Sequence, residues 1–381
     1  KYEFASLIAA LRDGPALPQG APKPRRKGKK GESFERFGDV LSGFTFASGA
    51  ATYRYCVDIP EGYNCEHAAA LLIDPGHGSG AKLDAKGKAD FVPFWRNQAL
   101  AAELGDVLIA RTEIVEQIGA DGLNGARPED EVAAVFDDFF RDVCSRFAVD
   151  LNRVWVSGLS QTGFWAWQLG LERADRFAGI APMSAVTWAT KGYLDNFTNL
   201  AVYVLHGDAD KICPVAQPRA TCKELAALGV RVVYTEIAGA GHDVKVWGRL
   251  PDGLRWLAER PRDPYPKVIA KSLQTTAQPW CWWLRVDALD ASGSGKAGAP
   301  PTAKVAASID AQAITITSTG VKRLTLALAG ELVDLSKPVV VTWNGKQAFE
   351  GLLERDFARS AAVALEKVDW RGTFEALVEL K

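Results

Sequence analysis

The chain has 381 residues, of which 48% are hydrophobic and 24% are charged, and its net charge is −1. This composition is typical of folded globular proteins and excludes disordered and collagen-like chains, and the near-zero charge gives no field that would attract nucleic acid. The length predicts two domains, because single cores rarely grow beyond roughly 250–300 residues. No apolar stretch is long enough to cross a membrane, which predicts a soluble protein. The sequence starts at a lysine, so we expect a processed chain and leave export and compartment open.

The first part of the chain, residues 1–33, predicts a surface leader. Residues 4–11 have the apolar spacing of a short amphipathic helix, and the stretch after them is rich in Gly, Pro and Lys. The basic run 23–30 is short and interrupted by proline and glycine. Such a run is typical of a solvated linker, so we predict no nucleic-acid contact.

Six cysteines are scattered along the chain without the paired spacing of a zinc or redox site, so we predict no metal. Two pairs are close enough in sequence to form disulfides, namely Cys56 with Cys65 and Cys213 with Cys222. An even number of cysteines is weak evidence of export, so the disulfide state stays open.

Residues 34–262 alternate between strand and helix patterns, which predicts an α/β domain with a doubly wound, mostly parallel sheet. The run 68–73 is continuously apolar, as expected for a strand covered on both faces. The predicted strands are 52–59, 68–73, 106–110, the run before residue 160, 179–183, 201–205 and 230–237. The predicted helices are 95–104, 128–147, 164–171, 219–228 and 253–259.

Residues 263–381 predict a smaller, mainly β domain with one helix at 353–365. Asn344-Gly345 is a strong signal for a two-residue hairpin turn. Trp280-Cys281-Trp282-Trp283 alternates as a strand does, which favours core packing and interdomain contact over a sugar platform. The predicted strands are 267–273, 281–286, 305–309, 313–319, 324–328, 339–343 and 374–380.

The stretch around Ser160 is the strongest chemical signal. A β-prone run, Val154-Trp155-Val156, enters Gly158-Leu159-Ser160-Gln161-Thr162-Gly163, and the chain leaves as a helix. A strand, a sharp turn and a helix together lift a serine hydroxyl above the edge of a sheet. We therefore predict that Ser160 is a nucleophile.

A serine nucleophile needs a base, and the chain has only four histidines. The turn around Ser160 resembles the nucleophile turn of α/β hydrolases, in which the nucleophile, the acid and the histidine follow one another in that order along the chain. This order excludes His67 and His77, which precede Ser160. Of the remaining two, His242 leaves room for an acid between serine and base, whereas His206 is expected to be structural.

The acid should lie on a loop just after a strand, where its carboxylate can reach the imidazole and hold its tautomer. His206-Gly207-Asp208-Ala209-Asp210 supplies two candidates. We favour Asp210 over Asp208. Asp243, which adjoins the histidine, is expected to be an ordinary loop residue.

The tetrahedral oxyanion of an acyl transfer needs two backbone donors. The N–H of Gln161 is the first, and Gly78 or Ser79, in the glycine-rich loop after the strand 68–73, supplies the second. His77 is expected to be a structural or rim residue of this loop, and it is a candidate substrate contact. Three tryptophans either line the substrate pocket or pack in the core: Trp165, Trp188 and Trp247.

These motifs together resemble the α/β-hydrolase superfamily. Within it the chain is similar to esterases of the dienelactone-hydrolase, feruloyl-esterase and polyhydroxybutyrate-depolymerase-like group. Their pattern Gly-Leu-Ser-x-Gly-Gly, then His-Gly-x-x-Asp-x-x-x-Pro, then Gly-His falls on Ser160, Asp210 and His242. The resemblance covers residues 53–256, and appended β domains of this kind occur in hydrolases from bacterial genomes. It implies an α/β-hydrolase fold and a serine esterase without a cofactor.

Two positions depart from the pattern. Thr162 stands where the group has glycine, and its side chain is expected to crowd the turn, which Gly163 relieves in part. The early loop, Pro-Gly-His-Gly-Ser-Gly at 75–80, replaces the common Leu-His-Gly-Gly-Gly. The second oxyanion donor is therefore assigned less firmly than the three reacting groups.

The function predicted from the sequence is serine carboxylic-ester hydrolysis through an acyl-enzyme, on a small-molecule or polymeric ester. A peptidase of the prolyl-oligopeptidase type shares the order of reacting groups. A non-catalytic scaffold, whose β domain would bind a polysaccharide or a partner, is the alternative from another class. Substrate identity and oligomeric state do not follow from the sequence.

Overall fold

A computed structural model of the protein describes residues 4–12, 40–63, 66–76, 92–114, 129–187, 192–291 and 300–381. Within these ranges an eight-stranded sheet has the order β1-β2-β4-β3-β5-β6-β7-β8. The pairs β1–β2 and β2–β4 are antiparallel, and the other neighbours are parallel. Its strands are β1 (Val40–Ser48), β2 (Ala51–Asp58), β3 (Ala69–Asp74), β4 (Val107–Thr112), β5 (Val149–Leu159), β6 (Gly179–Met183), β7 (Ala201–Gly207) and β8 (Val232–Ile237).

Helices cover both faces of this sheet, because its central strands are apolar on both sides. In β3, Leu71 and Ile73 belong to one buried cluster, and Ala70 and Leu72 belong to the cluster on the opposite face. The helices before residue 260 are α1 (Phe4–Arg12), α2 (Val92–Ala101), α3 (Glu129–Arg146), α4 (Gln161–Glu172), α5 (Ala216–Ala227), α6 (Val244–Trp247) and α7 (Leu250–Ala258). The predicted α/β architecture is thus confirmed as a large mixed sheet between helices.

The rest of the chain builds two smaller sheets, one of four strands (β10-β11-β14-β17) and one of five (β16-β15-β13-β12-β9), counted over the described residues. One helix, α8 (Phe357–Lys367), accompanies them and starts after Asp356, whose side chain accepts from the Arg359 N–H. The strands are β9 (Val268–Leu273), β10 (Trp280–Cys281), β11 (Leu284–Leu289), β12 (Ala303–Asp310), β13 (Ala313–Thr319), β14 (Val321–Leu328), β15 (Val339–Trp343), β16 (Lys346–Gly351) and β17 (Ala376–Leu380).

Some details differ from the sequence prediction. Asn344 and Gly345 form the predicted hairpin turn, both at positive φ. The run Trp280–Trp283 does not form one continuous strand: it turns at Trp282 (φ 50°), and Cys281 pairs back on Leu284. All four of its side chains are buried, so the apolar run carried no information about which face each residue occupies.

The proposed disulfide between Cys213 and Cys222 is not formed, since both are free thiols. Cys222 lies in the core on α5. Cys65 falls outside the described residues. So does most of the leader at 1–33.

A buried ionic network joins the large sheet's helices to the later strands. Arg262 pairs with Asp369 through two hydrogen bonds of 2.6 and 2.9 Å, and also donates to the carbonyl of Asp175. The ammonium of Lys367 donates to the Asp175 carboxylate at 2.6 Å and to the carbonyl of Trp282. Such an arrangement keeps buried charges paired, and the two parts of the chain share one continuous apolar cluster.

The carboxylate of Asp175 makes this network sensitive to acid. Burial alone would raise its pKa, but Lys367, Lys271 and Arg176 outweigh burial and lower the pKa to about 2. Because the pKa is lower in the folded state, the stabilisation is complete above pH ~4 and is lost as the pH falls towards about 2.

We expect Asp175→Asn to lose this pH-dependent stabilisation, which amounts to about 2 kcal/mol for a pKa change of this size. Thermal unfolding midpoints of wild type and variant should differ at neutral pH, and the difference should shrink between pH ~4 and ~2. A difference that stays constant over this range would contradict the assigned ion pair.

Candidate active site

Ser160 occupies the sharp turn between β5 and α4. Its backbone has φ 54° and ψ −113°, a region that residues other than glycine rarely adopt. The turn is held by its neighbours: the Ser160 N–H donates to the Met183 carbonyl of β6 at 2.9 Å, and the Ser160 carbonyl accepts from the Phe164 N–H at 3.0 Å. A strained backbone position of this kind is typical of active sites.

Two glycines allow this turn to close. A Cβ atom on Gly158 would overlap the carbonyl group of Thr162. One on Gly163 would lie 2.7 Å from the Cβ of Ala185 and 2.9 Å from the Met183 carbonyl oxygen. Both glycines therefore serve close backbone approach, Gly158 within the turn and Gly163 against β6.

Thr162 does not crowd the turn as the sequence led us to expect. Its side chain is buried, and its hydroxyl lies 2.6 Å from the Leu159 nitrogen and 3.0 Å from the Leu159 carbonyl oxygen. The extra side chain is accommodated because it bonds to the backbone of the turn itself.

Asp210 and His242 meet above the ends of neighbouring strands. Asp210 follows β7 and His242 follows β8, and the Asp210 Oδ2 lies 2.7 Å from the His242 Nδ1. The other oxygen, Oδ1, accepts from the backbone N–H groups of Ile212 and Cys213 at 2.9 and 2.8 Å. A carboxylate held in this way fixes the proton on Nδ1 and leaves Nε2 able to accept one.

The competing carboxylates have other partners. Asp208 is exposed, and its Oδ1 accepts from the Gly239 N–H at 2.7 Å. Asp243 caps the short helix α6, accepting from the Lys245 N–H at 2.8 Å and the Gly241 N–H at 3.1 Å. The hydrogen bond from Lys245, with that from Gly241, lowers the pKa of Asp243. Among these acids, Asp210 is the one that the structure pairs with His242.

His206 lies beneath this pair and is fully buried. Its Nε2 is 2.7 Å from the Cys213 carbonyl oxygen, so this nitrogen carries the proton, and it is 3.6 Å from the Asp210 Oδ2. Burial lowers the pKa of His206, which keeps the ring neutral. His206 thus braces the loop that carries Asp210.

Of the predicted oxyanion donors, Gln161 is the first residue of α4. Its N–H belongs to the first helical turn, whose N–H groups have no acceptor within the helix. Gly78 and Ser79 lie outside the described residues, as do His77 and Trp188.

The start of the early loop is described, and it contains residues that the sequence did not single out. The buried carboxylate of Asp74, at the end of β3, accepts from the Gly76 N–H at 3.1 Å and from the Trp95 indole at 2.6 Å, and pairs with Arg111. Gly76 has φ 70°, and a Cβ on it would overlap the Thr112 carbonyl. This network fixes where the chain leaves β3. The only feature of the sequence that could have indicated this network is an aspartate directly after a predicted buried strand.

The tryptophans that the sequence offered as pocket or core residues lie in different places. Trp165 is buried in the apolar cluster and packs edge-on against Phe164, which favours the core alternative. Trp247 is half-buried, and its ring lies edge-on to His242 with centroids 6.3 Å apart. Trp247 therefore stays a candidate substrate contact.

The described residues contain no cluster of three or more His, Cys, Asp or Glu side chains that could hold a metal ion. In the same part of the chain, none of the helices has both the length and the apolar character that a membrane span requires.

Comparison with known proteins finds esterases. Feruloyl esterase D of Neurospora crassa is 24% identical over 173 residues, which cover 44% of this chain and 56% of that protein. A thermostable esterase of known structure is 20% identical with a TM-score of 0.47, covering 59% of this chain and 64% of its own. The sequence match to feruloyl esterase D confirms the resemblance to esterases.

A peptidase also appears among the similar structures. The acylaminoacyl peptidase of Pyrococcus horikoshii is 15% identical with a TM-score of 0.44, over 58% of this chain and 40% of its own. No model of a known protein family matches the chain. Because this chain spans 56% of the length of feruloyl esterase D, the activity of the whole protein remains a proposal.

The close approach at Gly158 can be tested by adding one methyl group. We expect Gly158→Ala to lower stability by about 1–3 kcal/mol, because the turn must shift to admit the Cβ. Gly330→Ala is the matched control, since a Cβ there meets only the Glu375 Oε1 at 3.7 Å. Urea unfolding of both variants measures the difference. Equal destabilisation would contradict the packing described here.

Proposed function

We propose that the protein is a serine carboxylic-ester hydrolase of the α/β-hydrolase fold, in which Ser160, His242 and Asp210 form a catalytic triad. The observation that carries this proposal is the hydrogen bond between Asp210 and His242, on loops that follow β7 and β8. Parallel strands end at the same edge of a sheet, and β5 and β7 are separated by one strand, or about 10 Å. The strained turn at Ser160 lies at this same edge.

The chemistry follows from these positions. The Ser160 hydroxyl attacks the ester carbonyl carbon, and its proton passes to the His242 Nε2. The negative Asp210 stabilises the imidazolium that forms. The Gln161 N–H, with that of Gly78 or Ser79, binds the oxyanion of the tetrahedral intermediate.

Collapse of this intermediate breaks the bond to the alcohol, which takes the proton from His242 and leaves an acyl-Ser160 ester. Water then attacks this acyl group with His242 as the base, and the acid product departs. No cofactor is needed for either half of the cycle.

The surroundings of the acid and base favour an apolar group on the substrate. Trp247 lies edge-on to the His242 imidazole, with ring centroids 6.3 Å apart. Small-molecule sites are lined largely by apolar and aromatic side chains, so Trp247 is the described residue that would contact an apolar part of the substrate. The similar protein is named a feruloyl esterase, so feruloyl esters are the first substrates to test. Polyester fragments and small lactones are the substrates to compare with them.

We further propose that residues 34–262 form the catalytic domain and residues 263–381 an accessory domain. The two smaller sheets after residue 263 do not pair with the large sheet among the described strands. The buried Arg262–Asp369 pair fixes one against the other. The accessory domain would therefore pack directly against the catalytic one.

Hydrolysis of a chromogenic ester by substituted proteins tests the triad. We expect Ser160→Ala to abolish turnover and Asp210→Asn to lower kcat by about 10³–10⁴-fold, because the amide no longer holds the reactive tautomer. Asp208→Asn makes the same chemical change at the exposed neighbour and should stay within about threefold of wild type.

The outcomes separate the alternatives. Equal rates for wild type and Ser160→Ala would overturn the proposal. A wild type that cleaves acyl-peptide substrates but no ester would favour the peptidase. No reaction with esters, peptides or a fluorophosphonate would favour a scaffold.

A further inference from the structure

Thr162 is the one residue of the turn that departs from the glycine pattern, and its hydroxyl contacts the residue just before Ser160. The hydroxyl oxygen is 2.6 Å from the Leu159 nitrogen and 3.0 Å from the Leu159 oxygen. A hydroxyl has one hydrogen to donate and two lone pairs. It therefore accepts the Leu159 N–H and donates to the Leu159 carbonyl at the same time.

The bond to the Leu159 carbonyl fixes the peptide plane from which Ser160 starts, and the bond from the Leu159 N–H holds the peptide before it. The Leu159 carbonyl belongs to the same peptide as the Ser160 N–H, and that N–H is held by the Met183 carbonyl of β6 at 2.9 Å. The peptide is thus bonded on both sides. With this plane held, the direction of the Ser160 Cα–Cβ bond is set by its own φ of 54°.

A backbone conformation of this kind persists only when its surroundings hold it in place. Gly158 supplies space for the turn, and Gly163 lets the turn approach β6. Neither glycine has a side chain that could bond to the peptide before Ser160. The Thr162 hydroxyl is the side-chain group that does so, on a residue that is only 3% exposed.

We propose that Thr162 is a positioning residue, whose hydroxyl holds the Leu159–Ser160 peptide so that the Ser160 hydroxyl stays aimed at the substrate carbonyl. This inference rests on the proposed serine-hydrolase function. The Thr162 hydroxyl touches no reacting atom and acts through the backbone of the nucleophile alone.

Thr162→Val and Thr162→Ser separate the hydroxyl from the methyl group. Valine has nearly the shape of threonine without the hydroxyl, and serine keeps the hydroxyl without the methyl. We expect Thr162→Val to lower kcat by about 10–100-fold with KM within about twofold, since loss of aim affects the chemical step. Thr162→Ser should stay within about threefold of wild type.

Two further measurements report on the turn itself. The rate of covalent labelling by a fluorophosphonate should fall in Thr162→Val by the same factor as kcat, because both reactions use the same attack. Hydrogen exchange of a peptide that spans 158–164 should be faster in this variant, since the Leu159 N–H loses its acceptor.

Each outcome decides the matter. A folded Thr162→Val with the kcat of wild type would overturn the inference, as would a Thr162→Ser that falls as far as Thr162→Val. If Thr162→Val does not fold, Thr162→Ala replaces it in the same comparison with Thr162→Ser. A wild type inert towards esters and fluorophosphonate would overturn the proposed function instead, whatever the hydrogen exchange shows.

Discussion

The turn between β5 and α4 leaves no space for a side chain at Gly158, and the arrangement of the candidate site depends on this constraint. Because Gly158 admits the carbonyl of Thr162, the chain can reverse within a few residues and place Ser160 at φ 54°. The following helix then starts at Gln161, with the free N–H groups of its first turn beside the serine. One close backbone contact thus sets both the nucleophile and the first oxyanion donor of the proposed mechanism.

The proposed acid and base, Asp210 and His242, depend on a second set of backbone bonds. Asp210 uses one oxygen for two backbone N–H groups and the other for His242. His206 closes the same loop from below through the carbonyl of Cys213. The carboxylate is therefore rigid and desolvated, which makes its hold on the imidazole stronger than a loop residue in water could provide. The strands β7 and β8 place these loops side by side.

Much of this arrangement followed from sequence because it depends on local patterns. The alternation of strands and helices indicates the α/β sheet, and the glycines around Ser160 indicate a sharp turn. Because the chain has only four histidines, few candidates for the base remain. The contacts that the sequence did not reveal are tertiary. Asp74 and Arg111 are 37 residues apart in the chain, and their ion pair joins two neighbouring strands. The chain turns at Trp282 within a run that is entirely apolar and therefore shows no alternation from which a turn could be predicted. Thr162 was misjudged because its fit depends on a hydrogen bond back to Leu159, which residue type alone does not reveal.

The central claim is that Ser160 is the nucleophile that His242 and Asp210 activate. The most direct measurement is mass spectrometry of the protein after reaction with a fluorophosphonate, with digestion to locate the label. The account predicts one label per chain, on Ser160, and no label on the same peptide in Ser160→Ala or after unfolding. A label on another residue, or an unlabelled protein that still hydrolyses esters, would contradict it.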